Sequence, residues 1–251
     1  MFTPIPMLGD SYDPDAVALF SRMSVQPTTA RKKLINNTIL SLKSSGTWGE
    51  LDCLYLFAAH DKQAALLNWI SSNYTITETG TKTFTTDVGI SGTSSNLSTN
   101  FNPSTAVSPN FTQNDACMGF WSETNSAAAL FEAYNTSGVY TRFNPRTSSG
   151  DNFTMRFNNN NDVTSTGGLA TDSSGFFIAN RNISTSFSIY RNSSLVVTLT
   201  QTAISVPAQP LRFSENSTRV LSAGFYGGYL DNTQRAGLYD ALSYYRTGVG
   251  L

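Results

Sequence analysis

Residues 185–200 read TSFSIYRNSSLVVTLT. Phe187 and Ile189 alternate with Ser186, Ser188 and Tyr190. Arg191-Asn192-Ser193-Ser194 then carries turn chemistry, and Leu195, Val197 and Leu199 resume a period of two. Alternation on both sides of a short polar turn predicts a β-hairpin with one apolar face. A two-stranded ribbon is marginal alone in water, so that face needs a second sheet over it.

Beyond about Thr75 the same texture recurs, with short β-type runs broken by Gly, Asn, Pro and Ser clusters. Strands are expected over 82–86, 96–99, 116–123, 128–134, 139–143, 153–157, 175–179, 210–213 and 220–227, besides the two of the hairpin. That count and spacing predict a mainly β fold, an antiparallel jelly-roll β-sandwich. The Asn158–Asn161 run reads as a hairpin loop, because Asn tolerates left-handed backbone.

The main helices are expected toward the two ends. Asp13 suits an N-cap and Pro14 the first helical position, with Phe20 and Met23 on one stripe. Thr28 or Thr29 caps a second helix whose Leu34, Ile35, Ile39 and Leu42 keep helical spacing until Gly46. A helical turn is expected over 61–67. At the far end, Asp231 and Gln234 form a capping box, Leu230 staples the entry, and Leu238, Leu242 and Tyr245 share a face closed by Arg246 and Gly248. One apolar stripe on so short a helix predicts packing back on the sandwich, since a coiled-coil arm needs sustained heptads. Residues 1–50 are expected as an N-terminal helical hairpin serving as a docking region. Residues 51–251 are expected to form the sandwich with its terminal helix.

Of 251 residues only 13% are charged, with Lys+Arg 16 against Asp+Glu 17. Ser, Thr and Asn fill the gap, and the single basic cluster is Arg31-Lys32-Lys33, so no global field steers nucleic acid or an anionic membrane. The opening MFTPIPMLGDSYDPD lacks a basic region and an apolar run of signal-peptide type, and no stretch reaches transmembrane length. These features predict a soluble chain made in a cytoplasm, with no nucleic-acid partner and no membrane insertion. Sequons such as Asn73-Tyr74-Thr75, Asn135-Thr136-Ser137 and Asn192-Ser193-Ser194 then read as products of composition. Cys53 and Cys117 lie in apolar runs and read as small core residues, not as a bridge.

Gly49-Glu50-Leu51-Asp52 is the acidic motif that invites an enzymatic reading, since carboxylates at alternate strand positions share a side. Retaining glycoside hydrolysis needs two carboxyl groups about 5 Å apart. The array used by sandwich glucanases has a further Glu shortly after the Asp. Here Cys53, Leu54 and Tyr55 follow, so the pair reads as solvated carboxylates at a strand entrance. His60, the single histidine, sits at a helix start and reads as a capping or surface residue. Gly89-Ile90-Ser91-Gly92 lacks the spacing of a nucleophile elbow. Asp10, Asp13 and Asp15 are explained by helix capping, and the cysteines have no zinc-ligand spacing. No catalytic residue, metal ligand or cofactor is assigned. Trp121, Tyr140, Tyr226 and Tyr229, read as loop aromatics, are candidates for stacking on sugars or on a partner.

Several segments taken in order carry a resemblance. These are 45-SGTWGELDCLY-55, 92-GTSSNLST-99 with Asn102-Pro103-Ser104, the hairpin Ile189-Tyr190-Arg191-Asn192, and Leu238-Tyr239-Asp240-Ala241-Leu242. From Trp48 onward the chain resembles the concanavalin A-like, laminin-G-like jelly rolls of bacteriophage structural proteins. The helical segment from Ala16 to Ser44 is similar to the one that introduces this domain in tail, fibre and head-decoration proteins. Where those proteins carry Asn-Gly in the hairpin, this chain has Asn192-Ser193. The resemblance implies a non-enzymatic virion component whose partners are other virion proteins, with copies of itself among them. One alternative is a glycan-binding module for host adhesion, with a cell-surface glycan as partner. The other is a glycoside hydrolase or lyase, for which Glu50→Gln would remove an activity.

Overall fold

The computed structural model describes residues 11–92, 96–127, 131–133, 138–213 and 217–251. Helices α1 (Pro14–Ser21) and α2 (Thr29–Ser44) come first, then a 3-10 turn at Trp48–Glu50, strand β1 (Leu51–Leu56) and the short α3 (Lys62–Ala65). Next are β2 (Thr77–Thr79), β3 (Thr83–Thr85), β4 (Gly89–Gly92), β5 (Asn96–Ser98), β6 (Ala116–Ser122) and β7 (Phe131–Ala133). They are followed by β8 (Tyr140–Asn144), β9 (Thr154–Asn159), β10 (Val163–Thr164) and β11 (Gly175–Arg181). The chain closes with β12 (Ser186–Arg191), β13 (Ser194–Thr200), β14 (Arg212–Phe213), β15 (Ser217–Gly227) and α4 (Asn232–Val249).

Every strand pairing among the described residues is antiparallel. An eight-stranded sheet runs β13-β12-β11-β6-β15-β4-β3. The long β15 gives its first half to β4 and its second half to β1. Two smaller sheets, β10-β9-β8-β7 and β14-β5-β2, form the opposing layer. Rings lock the layers together. Phe143 lies 5.4 Å from Phe120, Phe157 lies 5.5 Å from Phe187, and Phe213 lies 5.0 Å from Tyr226. The mainly β, antiparallel sandwich read from the sequence is the observed fold.

The outer face of the large sheet is covered as well. Tyr239 of α4 stacks on Trp121 at 5.5 Å, while Phe225 stacks on Phe176 at 5.7 Å. Burial on both faces explains why β6 reads ACMGFWS, with all seven residues buried. Gly119 in that strand is required by close approach: a Cβ there would stand 2.2 Å from the Phe225 ring. Asp13, Thr28 and Asp231 cap their helices as the sequence predicts, and Asp231 with Gln234 forms the capping box. Leu238, Leu242 and Tyr245 are buried, so α4 packs back on the sheet.

Several details differ from the sequence reading. The turn of the hairpin is Asn192-Ser193, both left-handed at φ 46° and 68°. A bulge then pairs Ile189 with Val197 but Tyr190 with Leu195. The extra residue flips Leu195 off the apolar face and leaves it 58% exposed, whereas Phe187, Ile189 and Leu199 are buried. Helix α4 passes through Gly248, over which Leu34 lies, and ends at the left-handed Gly250. No apolar staple meets Leu230, because the residue one turn on is Arg235, whose guanidinium donates to the Leu230 carbonyl. Strands β2, β4 and β10 lack the alternation that would announce them. The expected strand over 128–134 appears as β7. Residues 128–130 and 134, the 93–95 part of the quoted motif and the sequon at 135–137 lie outside the described residues.

Candidate functional site

The acidic motif is split between two elements. Glu50 belongs to the 3-10 turn ahead of β1, and Asp52 sits where the β1 ladder shifts register. The Asp52 carboxylate accepts the backbone N–H groups of Asn110 at 2.9 Å and Phe111 at 2.8 Å, anchoring that loop. Burial pushes its pKa up, and the two N–H donors offset this only in part. His60 bonds to the Val25 carbonyl at 2.9 Å, holding the α1–α2 linker, and Asp61 caps α3 in its place. Lys43 bridges Asp13 and Asp15 at 2.6 Å each. Among the described residues no three His, Cys, Asp or Glu side chains converge as metal ligands. Both cysteines are buried and free, and desolvation raises their thiols.

Of the four aromatics read as loop platforms, Trp121, Tyr140 and Tyr226 lie in strands, and Tyr229 lies, half-buried, in the loop between β15 and α4. Trp121 and Tyr226 lie within strands and are 6% and 1% exposed. Trp121 is covered by Tyr239 and by the Arg246 guanidinium, 4.1 Å from its ring centre. Tyr140 belongs to β8 beneath Arg156 at 4.6 Å, and the Tyr229 N–H is held by Asp115 at 2.6 Å. Alternation in short apolar strands hides which face is covered, so the sequence could not separate these rings from exposed ones.

A different aromatic occupies an open cleft. Asn73, Tyr74, Asn100, Asn102, Thr105 and Val107 line a depression of about 430 Å³ beside β2 and β5. Among the described residues eight non-glycines have positive φ. Tyr74, at 63°, is the one that is not Asn, Asp or Ser. A bulky residue in that region is strained by about 1–2 kcal/mol, so its surroundings must enforce it. The Tyr55 hydroxyl donates to the Tyr74 carbonyl, Asn68 Nδ2 donates to the Asn73 carbonyl at 3.2 Å, and the Tyr74 ring meets Phe101 edge-on at 5.0 Å. Asn68 is itself fully buried and also accepts the Leu54 and Ile70 N–H groups.

The opposite wall is fixed in the same manner. Asn100, at φ 60°, donates to the Thr75 carbonyl at 2.7 Å and to Thr77 Oγ1 at 2.8 Å, tying the walls together. Asn102 Oδ1 accepts from Ser104, and its carbonyl accepts the Thr105 and Ala106 N–H groups. Burial holds the Tyr74 phenol above its ordinary pKa, so it stays a neutral donor. Val107 is 91% exposed at the lip. A half-buried ring, side-chain amides and a hydroxyl on preset backbone can receive a small polar ligand with an apolar face.

In two other depressions, polar side chains of the walls are bonded within the protein itself. In the one of about 320 Å³ beside α1, the Arg22 guanidinium is spent on the Asn68 and Ser71 carbonyls. Beside α3, Gln63 bonds Ser24 and the Arg22 carbonyl, and Lys62 pairs with Glu78. Sequence reasoning missed the Tyr74 cleft because Asn73-Tyr74-Thr75 reads as a sequon in an aperiodic segment. The available signal was the absence of charge around it.

No protein-family model and no curated relative matches the sequence. Solved structures do match the fold. Domain 4 of AbnA, a GH43 extracellular arabinanase from Geobacillus stearothermophilus, in complex with arabinotriose, is 13% identical with a TM-score of 0.51. The match covers 75% of this chain and 98% of that one. The botulinum neurotoxin serotype D binding domain is 10% identical with a TM-score of 0.52, over 77% of this chain and 52% of that chain. The serotype D ligand-binding domain in complex with N-acetylneuraminic acid is 14% identical, with a TM-score of 0.51, over 80% and 52%. The chain thus spans about half the length of the neurotoxin domains. At such identities the likeness establishes the β-sandwich fold.

Proposed function

We propose that the chain is a non-catalytic glycan-binding module whose site is the Tyr74 cleft. The observation that carries this reading is Tyr74 itself, an aromatic held in the left-handed region against an amide-lined depression. Strain kept by a surrounding network is characteristic of ligand sites. Support comes from the solved sandwiches, one in complex with arabinotriose and another with N-acetylneuraminic acid. A glycan array with the full chain tests it, followed by titration of any hit against Tyr74→Gly. The native chain should bind at least one glycan, and Tyr74→Gly should weaken that binding by about tenfold or more, the order of one lost stacking contact. Equal binding by the two proteins would reject the site.

The resemblance to phage jelly rolls supports a virion setting, in which residues 1–50 dock the module onto other particle proteins. Val17, Val25 and Leu40 favour this, being half-exposed apolar side chains on and between α1 and α2. Val17→Glu with Leu40→Glu should then abolish incorporation into particles without lowering the melting temperature. Normal incorporation of that variant would end the docking assignment.

A further inference from the structure

The walls of the Tyr74 cleft come from segments 63–77 and 88–114, and neither contains Asp, Glu, Lys or Arg. In a chain with 16 basic and 17 acidic residues, 88–114 is the longest run without one. A sialate, uronate or sulfate brought into such a cleft would lose hydration and meet no cation among its lining residues, an unfavourable exchange for a charged group. Asn100, which ties the two walls together, also turns the wrong kind of group toward an anion. Both Asn100 amide hydrogens are spent on Thr75 and Thr77, so its spare capacity is the acceptor Oδ1, held by Ser98 only at 3.4 Å. Sugar hydroxyls can donate to such an oxygen, whereas a carboxylate can only repel it.

Tyr74 and the 91% exposed Val107 add apolar surface on which the C–H face of a sugar ring can rest. We propose that the cleft takes an uncharged sugar residue, with its C–H face on Tyr74 and its hydroxyls on the Asn and Thr groups. This rests on the glycan-binding reading of the same cleft.

The test titrates the full chain and Tyr74→Gly with two probe sets. One is neutral arabino-, galacto- and manno-oligosaccharides, and the other is acidic sialyl-lactose and oligogalacturonate. Neutral probes should bind, should lose about tenfold in Tyr74→Gly, and should change by less than about twofold between roughly 0.05 and 0.5 M salt. Preferential binding of the acidic set, weakened by salt and lost in Tyr74→Gly, would overturn the uncharged-ligand inference and leave the glycan site standing. Failure of both sets, or binding indifferent to Tyr74→Gly, would remove the site and this inference together.

Discussion

Arg246 and Glu123 form a two-pronged ion pair between the terminal helix and the large sheet, with Nε to Oε1 at 2.9 Å and Nη2 to Oε2 at 2.6 Å. The same guanidinium lies over Trp121, and Ser222 donates to the same carboxylate. Both charged groups are largely removed from solvent, so deleting one leaves the other poorly compensated. Arg246→Ala should destabilise the fold by about 3 kcal/mol, lowering the melting temperature by roughly 6–12 °C for a chain of this size. Arg246→Lys should be intermediate, since it keeps charge but not the fork or the stacking. In a Glu123→Ala background the second substitution should cost much less. Strict additivity of the two losses would show that the pair is not coupled.

Asp52 sets two effects against each other. Its raised pKa means that ionisation disfavours the folded state as pH climbs above the ordinary carboxylate range, yet both oxygens accept backbone N–H groups of the 110–111 loop. An amide at this position can accept from one N–H but must turn its NH2 toward the other. Asp52→Asn should therefore cost about 1–3 kcal/mol at pH 7, measurable as a lower urea midpoint. An unchanged or higher midpoint would mean that the buried charge outweighs the anchor.

The sequence was most legible where one residue type has one local job. The Asp231–Gln234 box, the Asp13 and Thr28 caps and the pairing of β12 with β13 all appear in the structure as read, the bulge beside Leu195 apart. It was least legible where a side chain acts at long range. Asn158 bonds the Thr112 and Gln113 carbonyls, and Asn180 bonds both backbone groups of Leu230. Arg181 lies fully buried on four carbonyls. Composition showed abundant Asn without showing that many of these amides pin loops inside the fold. The Tyr74 cleft escaped for the same reason, because Tyr55 and Asn100 hold its walls from positions far away in sequence.

Acid should loosen the turn region near Asp172. Burial raises the pKa of this carboxyl, but the Ser174 N–H and hydroxyl and the Arg191 guanidinium more than offset that and hold it below its usual value. A carboxylate with a depressed folded pKa stabilises above its unfolded pKa of about 3.9 and loses that contribution as pH falls through the folded value. Stability should thus decline below about pH 4. Asp172→Asn should flatten that decline while lowering stability at neutral pH. A variant with an unchanged acid limb would remove Asp172 from the account.

The hairpin turn carries a correctable strain. Asn192 and Ser193 both adopt positive φ, as a two-residue turn matched to strand twist requires. Asn tolerates that region and is further held here, since its Oδ1 accepts the Phe176 N–H at 3.0 Å. Ser193 has no such compensation, and its hydroxyl is buried without a hydrogen-bond partner. Glycine removes both the Cβ clash and the unmet hydroxyl, at some cost in unfolded-state entropy. Ser193→Gly should therefore gain about 1 kcal/mol, read as a melting temperature higher by roughly 2–4 °C. Asn192→Gly should bring no gain, because relief of φ is offset by loss of the bond to Phe176. If Asn192→Gly stabilised the fold and Ser193→Gly did not, the roles assigned to the two turn residues would be reversed.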